Sequence, residues 1–434
     1  MGKTLSTPDW LSHLRQDAWF AFEKQGLPTT RSEDWKYTSL SSLKEFDFRA
    51  TDAPRYSWPD PVITQVKSAL KERSMDGQHK EIRLVFIDGE YCAALSDTVL
   101  ATPAQSGVKV LSLGQTLKDL PQGLQKPLET FHSQSEDGVK FLNTACFKDG
   151  AVLRVSPNQS VSSPIHFVFV RTADTAKSAY YRNLISVEKG AKAQVVETYL
   201  GLDSRASQQV TNSVTQVSLE ESANLELIRI QLEAPSGCFL GDLRVNQEKN
   251  SEFTGHWVSL GASLARNETR VEFQGEGSTA SLNGLYFGKE KQHTDSFVLI
   301  HHASPHCNSH QKYKGVLDGS ALGVFSGKIE VALDAQKSNA TQVNRNLLLS
   351  KQAQAYTRPQ LQIHADDVKC SHGATVGQLD DQALFYLRSR GISKDDSRRL
   401  LTEAFAGEVL DQLKNDTLKA QIKIDFAARL GRVS

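Results

Sequence analysis

Cys370 and His372 are the pair with the most chemical promise in this chain, two residues apart in the stretch RPQLQIHADDVKCSHGATVG from Arg358 to Gly377. In an extended segment side chains alternate faces, so i and i+2 point the same way. If this stretch is a strand, a thiol and an imidazole share one face. That donor set suits a soft or borderline metal such as iron or zinc. Two ligands do not close a coordination sphere, so a metal here needs others from elsewhere. The competing reading is that cysteine is more often a small core residue. Asp366 and Asp367 stand just upstream. Adjacent strand residues face opposite ways, so they do not make a hydrolase's two-carboxylate dyad. One is expected at a metal or a neighbouring chain, and the other in solvent.

A denser set of potential ligands lies at residues 301–310, HHASPHCNSH, with His293 upstream. His302, His306 and His310 would line one face of a helix. Pro305 and the Asn308-Ser309 pair oppose a helix there, and the spacing matches no closed zinc pattern. Imidazoles also satisfy buried hydrogen bonds, so the segment reads first as packing and surface histidines and second as a metal site. Gly275-Glu276-Gly277 is a partial glycine fingerprint, but strand-and-turn text follows it, which offers no helix N-terminus to a phosphate. No GxxxxGKS or GxxxxGKT loop and no GxSxG elbow occurs. If ATP drives this system, a partner hydrolyses it.

Composition narrows the classes further. The chain has 434 residues with 50 acidic and 50 basic side chains. Long-range attraction to nucleic acid or to an anionic membrane is therefore not the expected mode of action. No stretch approaches bilayer-spanning length, and the N-terminus lacks a signal peptide's apolar core. Met1 to Ser6 fits the short myristoylation pattern, a match read as chance. The expected location is the cytoplasm. Cys92, Cys146, Cys238, Cys307 and Cys370 are far apart, with no CxxC. This argues against a disulfide framework, a zinc ribbon and a self-contained ferredoxin-type cluster. Such a chain would lend one or two ligands to a shared, labile site.

The elements that must position these residues fall into three zones. Residues 1–78 read as helical and irregular. Asp9 is expected to cap a helix carrying Trp10, Leu11, Leu14, Ala18, Phe20, Ala21 and Phe22, which Gly26-Leu27-Pro28 ends. Trp35 and Tyr37 read first as packing aromatics and second as a platform on which a ligand stacks. Pro54, Pro59 and Pro61 mark a connector before a short helix over 62–73. From 82 to 376, short runs of Val, Ile, Leu, Phe and Thr alternate with Gly, Asn, Asp and Ser, with few convincing helices. Two sandwiches, a propeller or a β-solenoid would accommodate them. The likeness of Glu188-Lys189-Gly190-Ala191 to Glu220-Glu221-Ser222-Ala223 favours the solenoid. From Leu379 the text turns helical: Asp380 caps, Gly391 stops, and Ser393 with Asp396 resembles a capping box. Leu400, Leu401, Ala404, Phe405, Val409, Leu410 and Leu413 then form a broad apolar face. A last helix carries Leu418, Ile422, Phe426 and Leu430.

The wording of three blocks is more specific than these patterns. GLPTTRSEDWKYTSL (Gly26 to Leu40), HHASPHCNSHQKYKGVLDGSALGVFSGKIEV and RPQLQIHADDVKCSHGATVGQLDDQALFYLRSRGIS resemble the SufB/SufD family, scaffold subunits of SUF iron–sulfur cluster assembly. Length and the lack of a Cys-rich N-terminal cluster are closer to the SufD branch than to the SufB branch. The resemblance implies a mainly β fold: a right-handed parallel β-helix core over 79–378, flanked by N-terminal (1–78) and C-terminal (379–434) helical domains. It implies a non-catalytic scaffold that pairs with a SufB-like subunit, with edge strands near 358–377 joining across the interface. His372, with Cys370 beside it, would be a ligand of a transient iron or iron–sulfur cluster shared there. A SufC-like ATPase would dock on the C-terminal helices, through Leu400, Leu401, Phe405 and Leu410. A flavin is associated with the family's complex, but whether one is carried here, and whether the chain forms a homodimer when its partner is missing, the sequence leaves open. Two other readings remain beside it. One is a metal-dependent β-solenoid or cupin-like enzyme using residues 301–310. The other is a purely architectural subunit.

Overall fold

Between Ile82 and Gly377 the strand-and-turn text winds into a parallel β-solenoid of about seven turns. The computed structural model describes residues 8–44, 46–48, 58–73, 81–97, 107–119, 122–172, 178–202 and 208–431. Met1 to Ser6, Pro54 and the expected 78/79 boundary lie outside them. The chain steps alternately between two sheets, one of ten strands and one of nine. All pairings are parallel except at the N-terminal end, where Glu90–Tyr91 and Val108–Ser112 pair antiparallel with their neighbours. This topology excludes the sandwich and the propeller.

One corner of the coil shows why the sequence folds this way. Asn158, Gly190, Ser222, Asn250, Gly277, His306 and Lys337 all take positive φ, from 57° to 74°. Each donates its N–H to a carbonyl one turn further on, as Gly190 does to Glu221 (2.9 Å) and His306 to Gln336 (2.9 Å). Gly and Asn tolerate this left-handed conformation. At six of these seven the next residue turns inward and is small, Ala191, Ala223, Ser251, Ser278, Cys307 and Ser338 all being buried, whereas exposed Gln159 follows Asn158. The repeat visible in the sequence is this corner, and Cys307 is one of its small core residues.

Away from the C-terminal turn both outer faces of the coil are largely covered, so many strands read as continuous apolar runs. Ile165–Arg171 is buried at every position. Helices α1 (Asp9–Gln25), α2 (Asp60–Glu72), α3 (Leu113–Asp119), α4 (Gln122–Ser133) and α5 (Gly138–Cys146) precede most of the coil, and α6 (Asp381–Ser389), α7 (Lys394–Leu410) and α8 (Asp416–Leu430) follow it. Leu11, Leu14, Leu128 and Leu142 pack with Tyr180, Leu184 and Leu240 of the nine-stranded sheet. Val409, Ile422 and Phe426 pack with Ile230, Leu285 and Val316 of the ten-stranded one.

Two expectations need correcting. Asp9 opens α1, but no side chain caps that helix; Pro8 precedes it, and Pro8 has no N–H that needs a partner. The strand-rich zone also contains three helices between 113 and 146. They bury Leu124, Leu128, Phe131 and Leu142 against the N-terminal helices and the sheet. The C-terminal signals behave as expected. Asp380 accepts from the Gln382 N–H (2.8 Å), Gly391 takes φ 89°, and Ser393 accepts from the Asp396 N–H (3.1 Å). Among the described residues no helix is long and apolar enough to cross a membrane.

Candidate functional site

Lys369–Gly377 is the last strand of the ten-stranded sheet and carries Cys370 and His372. Among the described residues its only strand neighbour is Asn339–Leu348, with Ala340 opposite Cys370 and Gln342 opposite His372. Ala340 and Gln342 are buried positions, so the two candidate ligands lie on the inward face of the final turn. No further turn covers them, and His372 is exposed. Cys370 is half-buried against the cluster of Ile329, Val331, Ala340 and Ala365. Burial pushes the Cys370 thiol up, against a smaller opposite pull from the Ala340 backbone. The thiol is therefore mostly protonated at neutral pH, and binding a metal would release its proton.

The backbone of this strand is equally open. Lys369 donates its N–H to Ser338 O (2.9 Å), toward the neighbouring strand. By the alternation of parallel ladders, Cys370, His372, Ala374 and Val376 turn their N–H groups to the free edge. Gln354–Ile363 is the last strand of the other sheet and has a free edge too. Tyr356, Ile363 and Val376 are large exposed apolar residues on these two strands. An unpaired, largely exposed edge of this length is a template for another chain.

Asp366 and Asp367 are exposed in the loop between the two terminal strands. Asp367 is paired with Lys337, one turn back, and Asp366 is solvated. Among the described residues no set of three His, Cys, Asp or Glu side chains is placed to hold a metal ion.

The histidines of residues 301–310 are dispersed rather than convergent. His301 pairs with Glu272 (3.2 Å), and His310 with the Thr341 hydroxyl (2.9 Å). His302 is buried, bonded to Ser309 (2.9 Å) and set against the Phe273 ring at 4.7 Å. Its pKa is lowered to about 4 by burial and then by neighbouring His301. His306 is a left-handed corner residue. This is strand and turn, so the helix face that would gather His302, His306 and His310 does not exist. Gly275, of the glycine fingerprint, also sits at the corner: a Cβ there would lie 2.0 Å from Lys249 N. All five cysteines are free.

The N-terminal motif proves to be a strap. Glu33 is ion-paired with Arg358, whose Nη1 also donates to Glu33 O (3.2 Å). Tyr37 stacks on Tyr356 with ring centroids 4.8 Å apart. Thr38 donates to Asp295 (2.5 Å), and Trp35 lies over the Arg266 guanidinium at 3.9 Å. Tyr356 and Arg358 belong to Gln354–Ile363, so residues 33–38 bind the outer face of a free-edged strand. Neither packing in a core nor stacking on a ligand, the two roles the sequence offers for these aromatics, describes this clamp on a distant strand; strand alternation around Arg358 is the signal that points to it. A buried charge cluster behind the strap was also missed. Lys140 bonds Asp137 (3.0 Å) and Glu268 (2.9 Å). Burial pulls its ammonium down, but these carboxylates outweigh that and hold the pKa above the usual lysine value.

On the C-terminal helices, Leu400 is exposed and Leu401 and Phe405 are half-buried, while Leu410 is only 2% exposed and serves the chain's own core. Phe385 and Tyr386 of α6 are more exposed than any of these, at 73% and 58%. Buried Lys314 fastens α7 to the sheet. Its ammonium lies 4.2 Å from the Phe405 ring, donates to Phe405 O (2.9 Å) and pairs with Glu408 (2.6 Å).

The sequence matches a family model for the SufBD core domain of SUF-system FeS cluster assembly over residues 169–405, and one for the SufBD N-terminal region over residues 4–167. It is 34% identical to an iron–sulfur cluster assembly SufBD family protein of Synechocystis, covering 95% of this chain and 90% of that one. It is 31% identical to the iron–sulfur cluster assembly protein SufD of Escherichia coli, covering 98% and 94%. The SufD protein of Bacillus subtilis is 25% identical over 96% and 93%.

Proposed function

The chain belongs to the SufBD family of SUF-system iron–sulfur cluster assembly proteins, and from that premise we propose that it works as a SufD-like, non-catalytic scaffold subunit in the cytoplasm. It pairs through its terminal strands with a SufB-like subunit. Cys370 and His372 lend ligands to iron or a nascent cluster, which is cargo and leaves. A SufC-like ATPase docks on the C-terminal helices around Leu400, with Phe385 and Tyr386 added to the expected set and Leu410 withdrawn from it. A flavin has no support among the described residues and forms no part of this proposal.

One observation carries the reading: a thiol and an imidazole share the face of an unpaired edge strand. A partner strand added there would bring its own side chains beside them and pair the free N–H groups. Two ligands from each side would fill a site that neither chain fills alone. Residues 301–310 offer the metal-enzyme alternative no comparable convergence.

The test is anaerobic co-purification with SufB-like and SufC-like partners, comparing wild type with His372→Ala. Iron and acid-labile sulfide are measured per complex. The expected result is an intact complex with most iron and sulfide lost. Unchanged loading would make the chain an architectural subunit instead.

A further inference from the structure

Behind the strap, three layers meet around a cavity of about 20 Å³. Trp35 of the strap, Asp137 and Lys140 of α5, and Asp242 and Arg266 of the nine-stranded sheet all line it, and all are buried. A volume of this order admits one water molecule and little else.

The polar groups around the cavity are unequally served. Asp137 accepts from the backbone N–H groups of Val139 (3.0 Å) and Lys140 (3.2 Å), from the Lys140 ammonium (3.0 Å) and from Trp35 Nε1 (3.3 Å). Asp242 is 6% exposed, yet neither of its oxygens has a hydrogen-bond partner among the described residues. Its ion pair with Arg244 Nε is 3.7 Å long, beyond hydrogen-bond reach. Donors are left over as well. Arg266 Nη1 is bound to Asp295. Its Nη2 lies 3.6 Å from Glu268 and makes no hydrogen bond among the described residues. Lys140 has three N–H groups and directs two of them to Asp137 and Glu268 (2.9 Å). A buried carboxylate without a hydrogen bond is costly. Here that carboxylate and the leftover donors border the same small space.

We infer that this cavity is a binding site for one water molecule, which donates to Asp242 and accepts from Arg266 Nη2 or Lys140 Nζ. The chemistry of the lining selects water. A cation would meet Asp242, but also the Lys140 ammonium and the Arg266 guanidinium. An anion would meet those cations, but also Asp137, Asp242 and Glu268. A neutral group that donates and accepts at once suits both sides. Burial pushes the Asp242 carboxyl up, and the Arg244 guanidinium opposes this. Hydrogen bonds from water act with Arg244 to keep the carboxylate ionised. The water thus completes a polar junction between strap, α5 and coil, and the inference does not depend on the role proposed for His372.

The test is crystallography of the full chain as wild type, Asp242→Asn and Asp242→Leu, at a resolution that shows ordered water. Wild type and Asp242→Asn, which keeps an acceptor, are expected to show one density peak in the cavity. It should lie within about 2.6–3.2 Å of a residue 242 oxygen and of Arg266 Nη2 or Lys140 Nζ. Asp242→Leu, which puts apolar atoms there, should lose the peak. In solution, oxygen-17 magnetic relaxation should count one long-lived internal water fewer in Asp242→Leu than in wild type. A rubidium bromide soak should leave no anomalous signal at the site. Should Asp242→Leu not fold, wild type and Asp242→Asn still decide. An empty cavity in wild type, an Asp242 carboxylate turned onto Arg244 instead, or a rubidium or bromide peak each overturns the inference.

Discussion

His302 shows how far a histidine's chemistry depends on its surroundings. It belongs to the segment richest in potential ligands, yet it is buried against Phe273 and bonded to Ser309. Burial, then the adjacent His301, lowers its pKa from 6.5 to about 4. The unfolded chain takes up this proton near pH 6.5, while the folded chain refuses it until about pH 4. The stability contributed is therefore full above pH 6.5 and is lost as pH falls toward 4. At about 1.4 kcal/mol per pKa unit, the loss by pH 4.5 is on the order of 3 kcal/mol. His302→Gln can keep a hydrogen bond to Ser309 and cannot titrate. Urea unfolding at pH 7.5 and 4.5 should show a gap between the two pH values smaller by about that amount in the variant. An unchanged gap would mean that His302 protonates freely in the fold. The ligand-like spacing was legible in the sequence. Its dispersal was not, because the partners Glu272, Ser309 and Thr341 are set by the stacking of turns, and that register is a long-range property.

Element by element, local signals were read well where one residue fixes one conformation. The Asp380 and Ser393 caps, the Gly26 and Gly391 stops and the corner repeat at Gly190 and Ser222 all depend on backbone chemistry within a few residues. Helices 113–146 were missed because tertiary burial sustains them: α4 even contains Pro127. The strap was missed for the same reason, since Glu33 and Arg358 are 325 residues apart. Its role as a clamp on Gln354–Ile363 can be tested by reversing charge. Glu33→Arg and Arg358→Glu should each speed amide exchange in that strand several-fold. The double exchange should restore it, with a coupling of about 0.2–1 kcal/mol because the pair is partly exposed. Overall unfolding temperature should hardly move, which distinguishes a local clamp from general destabilisation. Equal exchange in all four proteins would leave the strap without a part in holding the strand.

At the scale of the whole molecule the coil has two unlike ends. Short antiparallel strands finish the N-terminal end, and one of them, Glu90–Tyr91, has only two residues. The C-terminal end leaves two strands of ten and nine residues unpaired along one side. Proteins usually blunt such edges; under the proposed pairing these stay open for a partner, and a second copy of the chain could take its place. Proline at a position whose N–H faces the free edge removes a docking donor and leaves the internal ladder intact. Ala374 is such a position: its N–H turns outward, and its side chain is small and exposed. Ala374→Pro should therefore fold with a nearly unchanged unfolding temperature. In sedimentation at rising concentration, wild type should associate and the variant should remain monomeric. The variant should also fail to capture a SufB-like partner, while a SufC-like ATPase, seated on helices at the other end of the chain's last segment, should still bind. If the variant pairs as wild type does, the terminal edge is not the interface. The position of Cys370 and His372 on it would then have to be explained by the chain's own packing alone.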